Sequence, residues 1–186
     1  MIDGLADLSP AGRAALRYAR RGWHVFPLHT CDAEGRCDCC DLSEDHRKRA
    51  GKHPRTPHGH LDATTDPEQI RAWWRRWPDA NIGCWTGPSG LAVLDVDGPA
   101  GAESLARLLA EHGEFPPTPE VRTPSGGRHL YFAAPDDVAL APKVGALQGL
   151  DVRAESSFTV LPPSRGWTGQ LYTWTTKPDG VEEVEP

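Results

Sequence analysis

The chain has 186 residues, 38% of them hydrophobic, with 19 Gly and 18 Pro; that is enough for one domain with its own core, and too punctuated for a helical bundle. A formal net charge of −6, from 20 Lys and Arg against 26 Asp and Glu, excludes a protein that coats nucleic acid through its whole surface. A mean hydropathy of −0.52 without a long apolar run excludes a transmembrane helix, and the start MIDGLADLSPAGR lacks the basic and apolar stretches of a signal peptide, so a cytoplasmic location is expected.

In chain order, Ser9 before Pro10 predicts a helix that Gly22 ends, followed by a strand WHVFPL over 23–28. From His29 to Leu61 no hydrophobic period occurs, which predicts an irregular loop of functional or cross-linked character. Asp66 and Pro67 open a second helix whose Ile70, Trp73, Trp74 and Trp77 make one apolar stripe, read as core. ANIGCWTG and GLAVLDVD are strand candidates, and Pro88, Ser89 and Gly90 between them suggest a hairpin. A helix from about Gly101 to His112 precedes the short strands EVRTP, HLYFAA, GLDVRAE, SFTVLPP and LYTWTT. The order predicts an α+β fold with a largely antiparallel sheet. The last ten residues are a polar tail or linker.

Asp95 and Asp97 lie two apart on a predicted strand, so both project from one face about 6 to 7 Å apart. Such a pair invites a hard divalent ion, Mg²⁺ or Mn²⁺, with Asp151 of GLDVRAE as the third carboxylate. Taken alone, the pair reads more readily as turn caps or salt-bridge partners. The neighbouring TPSGGRHLYF supplies a tight turn at Ser125, Gly126 and Gly127, followed by Arg128 and His129, which can cradle phosphate oxygens or form a plain hairpin turn around a structural His. Metal-binding carboxylates beside a donor turn are what phosphoryl or nucleotidyl transfer requires.

The succession GWHVFPL, GKHPR, DATTDPEQIRAWWRRWPDANIGCWTG, GLAVLDVDG, TPSGGRHLYF, LDVRAE and LPPS resembles the bifunctional DNA primase/polymerase N-terminal domain, a prim-pol branch of the archaeo-eukaryotic primase superfamily, from about Ala14 to Trp174. The resemblance implies that Asp95, Asp97 and Asp151 bind Mg²⁺ or Mn²⁺ and that His129 contacts the incoming triphosphate. Lys52 of its K-x-P motif would reach a phosphate, and Ser125, Gly126, Gly127, Arg128 and Arg153 would join it around the nucleotide. Gly127 replaces the family's small Ser, and Ser156 and Ser157 replace paired glycines. The implied fold is an RRM-like antiparallel sheet over about 90–176 with an N-terminal α/β module over about 1–90. The implied activity is template-directed DNA priming or polymerisation from dNTP or NTP in a phage, plasmid or mobile element, with a helicase domain or partner. A catalytically idle nucleic-acid-binding module and a metal-dependent nuclease are the other readings.

Five Cys, four of them between residues 31 and 40, suit a metal site in a reducing compartment better than disulfides. Cys31, Cys37, Cys39, Cys40, His46 and His53 offer more ligands than tetrahedral zinc needs. The preferred structural zinc set is Cys37, Cys39, His46 and His53, with Cys40 or Cys31 as substitutes. Arg47, Lys48, Arg49, Lys52 and Arg55 make this region basic, which suits a template strand or a triphosphate; Arg71, Arg75 and Arg76 suit DNA or an ordinary solvated face equally.

Overall fold

A computed structural model describes residues 7–39, 49–135 and 140–179. Cys40, His46, Arg47 and Lys48, and most of the polar tail, lie outside the described residues. The elements run α1 (Pro10–Arg20), β1 (His24–Leu28), a 3-10 helix (Gly59–Asp62), α2 (Pro67–Arg76), β2 (Asn81–Trp85), β3 (Leu91–Val96), α3 (Gly98–His112), β4 (Glu120–Arg122), β5 (Arg128–Ala133), β6 (Lys143–Leu147), β7 (Leu150–Arg153), β8 (Phe158–Leu161) and β9 (Thr173–Thr176). The expected α+β class with antiparallel sheets is what the chain adopts.

The helix starts follow their caps: Ser9 Oγ accepts from the Gly12 N–H at 3.1 Å, and Asp66 accepts from the Glu68 N–H at 3.0 Å. In the tryptophan stripe of α2, Trp74 is fully buried, while Trp73 and Trp77 pack half-buried against the same core. Arg71 pairs with Glu68 at 2.6 Å, and Arg76 lies over the Trp77 ring at 4.7 Å.

The strands form two sheets, of order β1-β2-β8 and β6-β7-β3-β5-β4-β9. The hairpin expected between β2 and β3 does not form, because both edges of each strand are taken by others: β2 lies between β1 and β8, and β3 between β5 and β7. Thr86, just beyond β2, is tied to the start of β8: its N–H donates to Ser157 O at 3.1 Å and its hydroxyl to Ala154 O at 3.1 Å. The chain therefore turns at Gly87–Gly90 into the other sheet.

Period-2 alternation splits the six-stranded sheet into two faces. Val96, Leu130 and Leu150 meet Leu105 of α3 on one face. Val93 and Tyr131 face the other way, into the main core shared with β1, β2, β8, α1 and α2. That core contains an aromatic stack in which Trp23 lies between Tyr18 and Tyr131, at 5.6 and 5.9 Å. The segment expected to be an irregular loop is pinned to β1: the His29 N–H donates to His53 O at 2.7 Å and the Arg55 N–H to Pro27 O at 3.0 Å.

Candidate active site

The alternation that sends Val93 and Tyr131 into the main core sends Asp95, His129 and Asp151 to the same face. Asp95 stands opposite His129 on β5 and opposite Asp151 on β7, so the three side chains form a row across three neighbouring strands. Two carboxylates directly opposite repel, and Arg153 answers that repulsion. Its guanidinium lies 3.1 Å from Asp95 Oδ2 and 2.8 Å from Asp151 Oδ2. His129 Nε2 lies 3.4 Å from Asp95 Oδ1, while its Nδ1 shares a 3.0 Å hydrogen bond with the Thr159 hydroxyl. Burial pushes the Asp95 carboxyl up, yet the hydrogen bond and charge of His129, then Arg153, outweigh it and hold the pKa at about 2.

Asp97 sits at the cap position of α3, but its side chain makes no capping hydrogen bond. A cap role therefore does not account for it. Burial and then the Asp95 charge raise its pKa, and Asp151 adds to this against the opposing charges of Lys52 and His129. The backbone that carries it is clamped: the Asp97 N–H donates to Gly149 O at 2.8 Å, and the Gly101 N–H to Asp97 O at 3.1 Å. Gly149 has φ +71°, and a Cβ there would stand 2.5 Å from Gly101 N, so only glycine fits.

The donor turn closes with the Thr123 N–H on Gly127 O and the Gly126 N–H on Thr123 O, both at 2.9 Å. Gly127, where the family pattern has a small Ser, meets the end of β3: a Cβ there would lie 2.6 Å from Val96 O and 3.1 Å from Asp97 Oδ1. Arg128, expected beside the nucleotide, pairs in register with Val96 on the α3 face and lies 3.5 Å from Glu120; it is not brought to the row.

Two adjoining cavities meet at the row. A small one, about 70 Å³, is lined by Asp97, Thr123 and Ser125, and a larger one, about 320 Å³, by His60, Ser157 and Phe158. Lys52, Asp95, His129, Arg153 and Tyr172 line both. A separate cleft of about 620 Å³ under the cysteine loop contains none of the row. Thr159, Tyr172 and His60 went unnoticed in the sequence. Thr159 carries no signal beyond an inward position on the short strand β8, Tyr172 lies just before β9, and His60 falls in a stretch with no period.

The carboxylates are a hard oxygen set whose mutual repulsion a cation would relieve, so they suit Mg²⁺ or Mn²⁺ by donor chemistry. As they stand, with Arg153 between Asp95 and Asp151, no three His, Cys, Asp or Glu side chains among the described residues are gathered tightly enough to hold a metal. In the cysteine loop, Cys31 and Cys37 face each other across a β-bridge, and the Gly51 N–H donates to Cys37 Sγ at 3.4 Å. Burial, then the charge of Cys37, pushes the Cys31 thiol up to about 12.

The chain is thus an α+β domain of two antiparallel sheets, with acidic residues and a histidine across its central strands and a donor turn beside the carboxylates. Over residues 15–186 the chain matches the bifunctional DNA primase/polymerase N-terminal domain, and it belongs to that family. Membership implies DNA primase/polymerase activity in general terms, with DNA and nucleotides as its partners. No curated protein matches the chain. Among the described residues no helix is long and apolar enough to cross a membrane.

Proposed function

We propose that the chain is a template-dependent DNA primase/polymerase that joins nucleotides with release of pyrophosphate. The observation that carries this reading is the row of His129, Asp95 and Asp151 across β5, β3 and β7, with Asp97 and the Ser125 turn at its end. Asp95, Asp97 and Asp151 would hold Mg²⁺ or Mn²⁺; when bound, such ions neutralise a triphosphate and lower the pKa of an attacking 3′-hydroxyl. Lys52 and Arg153, on the shared wall of both cavities, bring positive charge to the phosphates. Thr159 fixes the His129 ring through Nδ1, and Nε2 faces Asp95 Oδ1 at 3.4 Å, where a phosphate oxygen would compete with the carboxylate for it. The β3-α3-β4-β5 succession supports an RRM-like catalytic half beyond about residue 90, with the earlier residues as the second module. Membership of this family is the ground for extending the reading to a replicative setting in a phage, plasmid or mobile element, with a helicase domain or partner.

The test is incubation with primed and unprimed templates, dNTPs or NTPs and Mn²⁺, beside an Asp95→Ala/Asp97→Ala control. Extension that the double variant loses is the expected result. Cleavage without extension would make the protein a nuclease, and nucleotide binding without reaction would make it an idle module.

A structural zinc ion belongs to the same proposal. Cys37, Cys39, His46 and His53 are the preferred ligands, with Cys40 or Cys31 as substitutes; Cys31 faces Cys37 across a β-bridge, and a cation there would favour the thiolate against the burial that raises the Cys31 pKa. Metal analysis of protein never exposed to chelator should find close to one zinc per chain, lost in Cys31→Ser/Cys37→Ser together with several degrees of Tm. Zinc-free protein would sink this part.

A further inference from the structure

The two cavities at the row differ in chemistry. The small one ends in hydroxyls and the Asp97 carboxylate; the larger one ends in an aromatic wall. There the His60 ring stacks on Phe158 with centroids 6.0 Å apart and planes 26° from parallel, and Trp85 meets His60 edge-on at 5.2 Å. Each of these rings is held by its surroundings. Phe158 packs edge-on against Phe26 of the core at 5.4 Å, and Trp85 Nε1–H donates to Glu155 O at 2.7 Å. All three are half-buried, although the strand residues behind them are fully buried. Neither ring nitrogen of His60 makes a hydrogen bond to another described residue. Phe158 and His60 stand at the edge of a cavity whose other end carries Lys52, Arg153 and Asp95.

From this juxtaposition we infer that the wall of His60 and Phe158, backed by Trp85, seats the base of the incoming nucleotide. Its phosphates would then lie toward Lys52, Arg153 and the Ser125 turn. The inference rests on the polymerase reading and adds to it the subsite that recognises a nucleoside rather than a phosphate chain. Stacking on an aromatic face is tolerant of base identity, so the seat serves all four bases and leaves selection to the template. A cavity of about 320 Å³ is at the small end of the range for small-molecule sites, which fits one nucleoside and not a strand.

The experiment is calorimetric titration of wild type, His60→Ala and His60→Phe with each dNTP and, separately, with inorganic tripolyphosphate, all in Mn²⁺. Circular dichroism confirms that the variants are folded. Loss of one stacking partner weakens dNTP binding by roughly ten-fold. His60→Ala is therefore expected to bind every dNTP about ten-fold more weakly, tripolyphosphate as wild type does, and template-primer DNA unchanged. His60→Phe restores dNTP affinity. In extension assays the alanine variant raises KM with kcat little altered. Equal weakening toward dNTP and tripolyphosphate would place His60 at the phosphate end and overturn the inference, as would unchanged dNTP affinity. Weakened template-primer binding with dNTP affinity intact would give the wall to a DNA strand and overturn it too. Wild-type protein that binds neither dNTP nor tripolyphosphate would bring down the polymerase reading itself, and the seat with it.

Discussion

In metal-free buffer at neutral pH, Asp97→Asn is expected to melt at a higher temperature than wild type, while Asp95→Asn melts at a lower one; in Mn²⁺ both lose primer extension by about three orders of magnitude. The two residues stand two apart on one face, yet their surroundings push them in opposite directions. The Asp97 pKa is raised above its ordinary 3.8, first by burial and then by the Asp95 charge. Ionisation therefore costs the folded state, and that cost appears as pH rises through the raised pKa. Asparagine removes it, so the Asp97→Asn gain is present at pH 7 and vanishes below about pH 4.

Asp95 works the other way. With a folded pKa of about 2 against 3.8, its stabilisation is present above pH 3.8 and lost as pH falls through 2. The difference amounts to about 2 kcal/mol, which Asp95→Asn gives up at neutral pH. The activity loss follows from the several kcal/mol that bound divalent ions supply to a phosphoryl-type transition state. Thermal melts of both variants at pH 3 and pH 7, beside extension assays, separate the two effects. An Asp97→Asn variant that is less stable at pH 7 would show that the carboxylate is needed by the fold rather than tolerated for the chemistry.

Trp74→Ala should be the most damaging change outside the site. The side chain is 1% exposed, and its Nε1–H donates to Ala80 O at 3.2 Å. It also closes the α1–α2 contact: a Cβ on Gly12 would stand 2.8 Å from Trp74 Cβ, so the two helices touch there with nothing to spare. Removing a buried indole costs about 3 to 5 kcal/mol, and the orphaned Ala80 carbonyl adds to it. Against a typical domain stability of about 5 to 15 kcal/mol, that leaves the variant marginal. Denaturant unfolding should show a large fall in midpoint for Trp74→Ala and a much smaller one for half-buried Trp73→Ala. A loss under about 1 kcal/mol at Trp74 would contradict the packing described.

What could be read from the sequence was local. Ser9, Asp66 and the tryptophan spacing announce helices because caps and the 3.6-residue period act within a few residues. The spacing of Asp95 and Asp97 announces a shared face because side chains alternate along a strand. Strand partners were less legible. Thr86 is drawn to Ala154 and Ser157, some seventy residues later, and nothing near Pro88 reveals it. Alternation also tells that Arg128 and His129 point apart, but not which face holds the carboxylates until β3 and β5 are in register. β6 carries no alternating apolar pattern, since it is an exposed edge. His60, Thr159 and Tyr172 reach the site through long-range packing, which spacing in a single sequence does not encode.

The course of the chain between its sheets has a consequence for how the molecule comes apart. β1 and β2 build the first sheet, β3 to β7 the second, β8 returns to the first and β9 crosses back to the second. Any single cut between β2 and β9 therefore leaves at least one sheet made from both fragments. No single cut leaves two fragments that each hold a complete sheet, and the main core is drawn from both sheets. Unfolding should be one cooperative event, with tryptophan fluorescence and far-ultraviolet circular dichroism falling together.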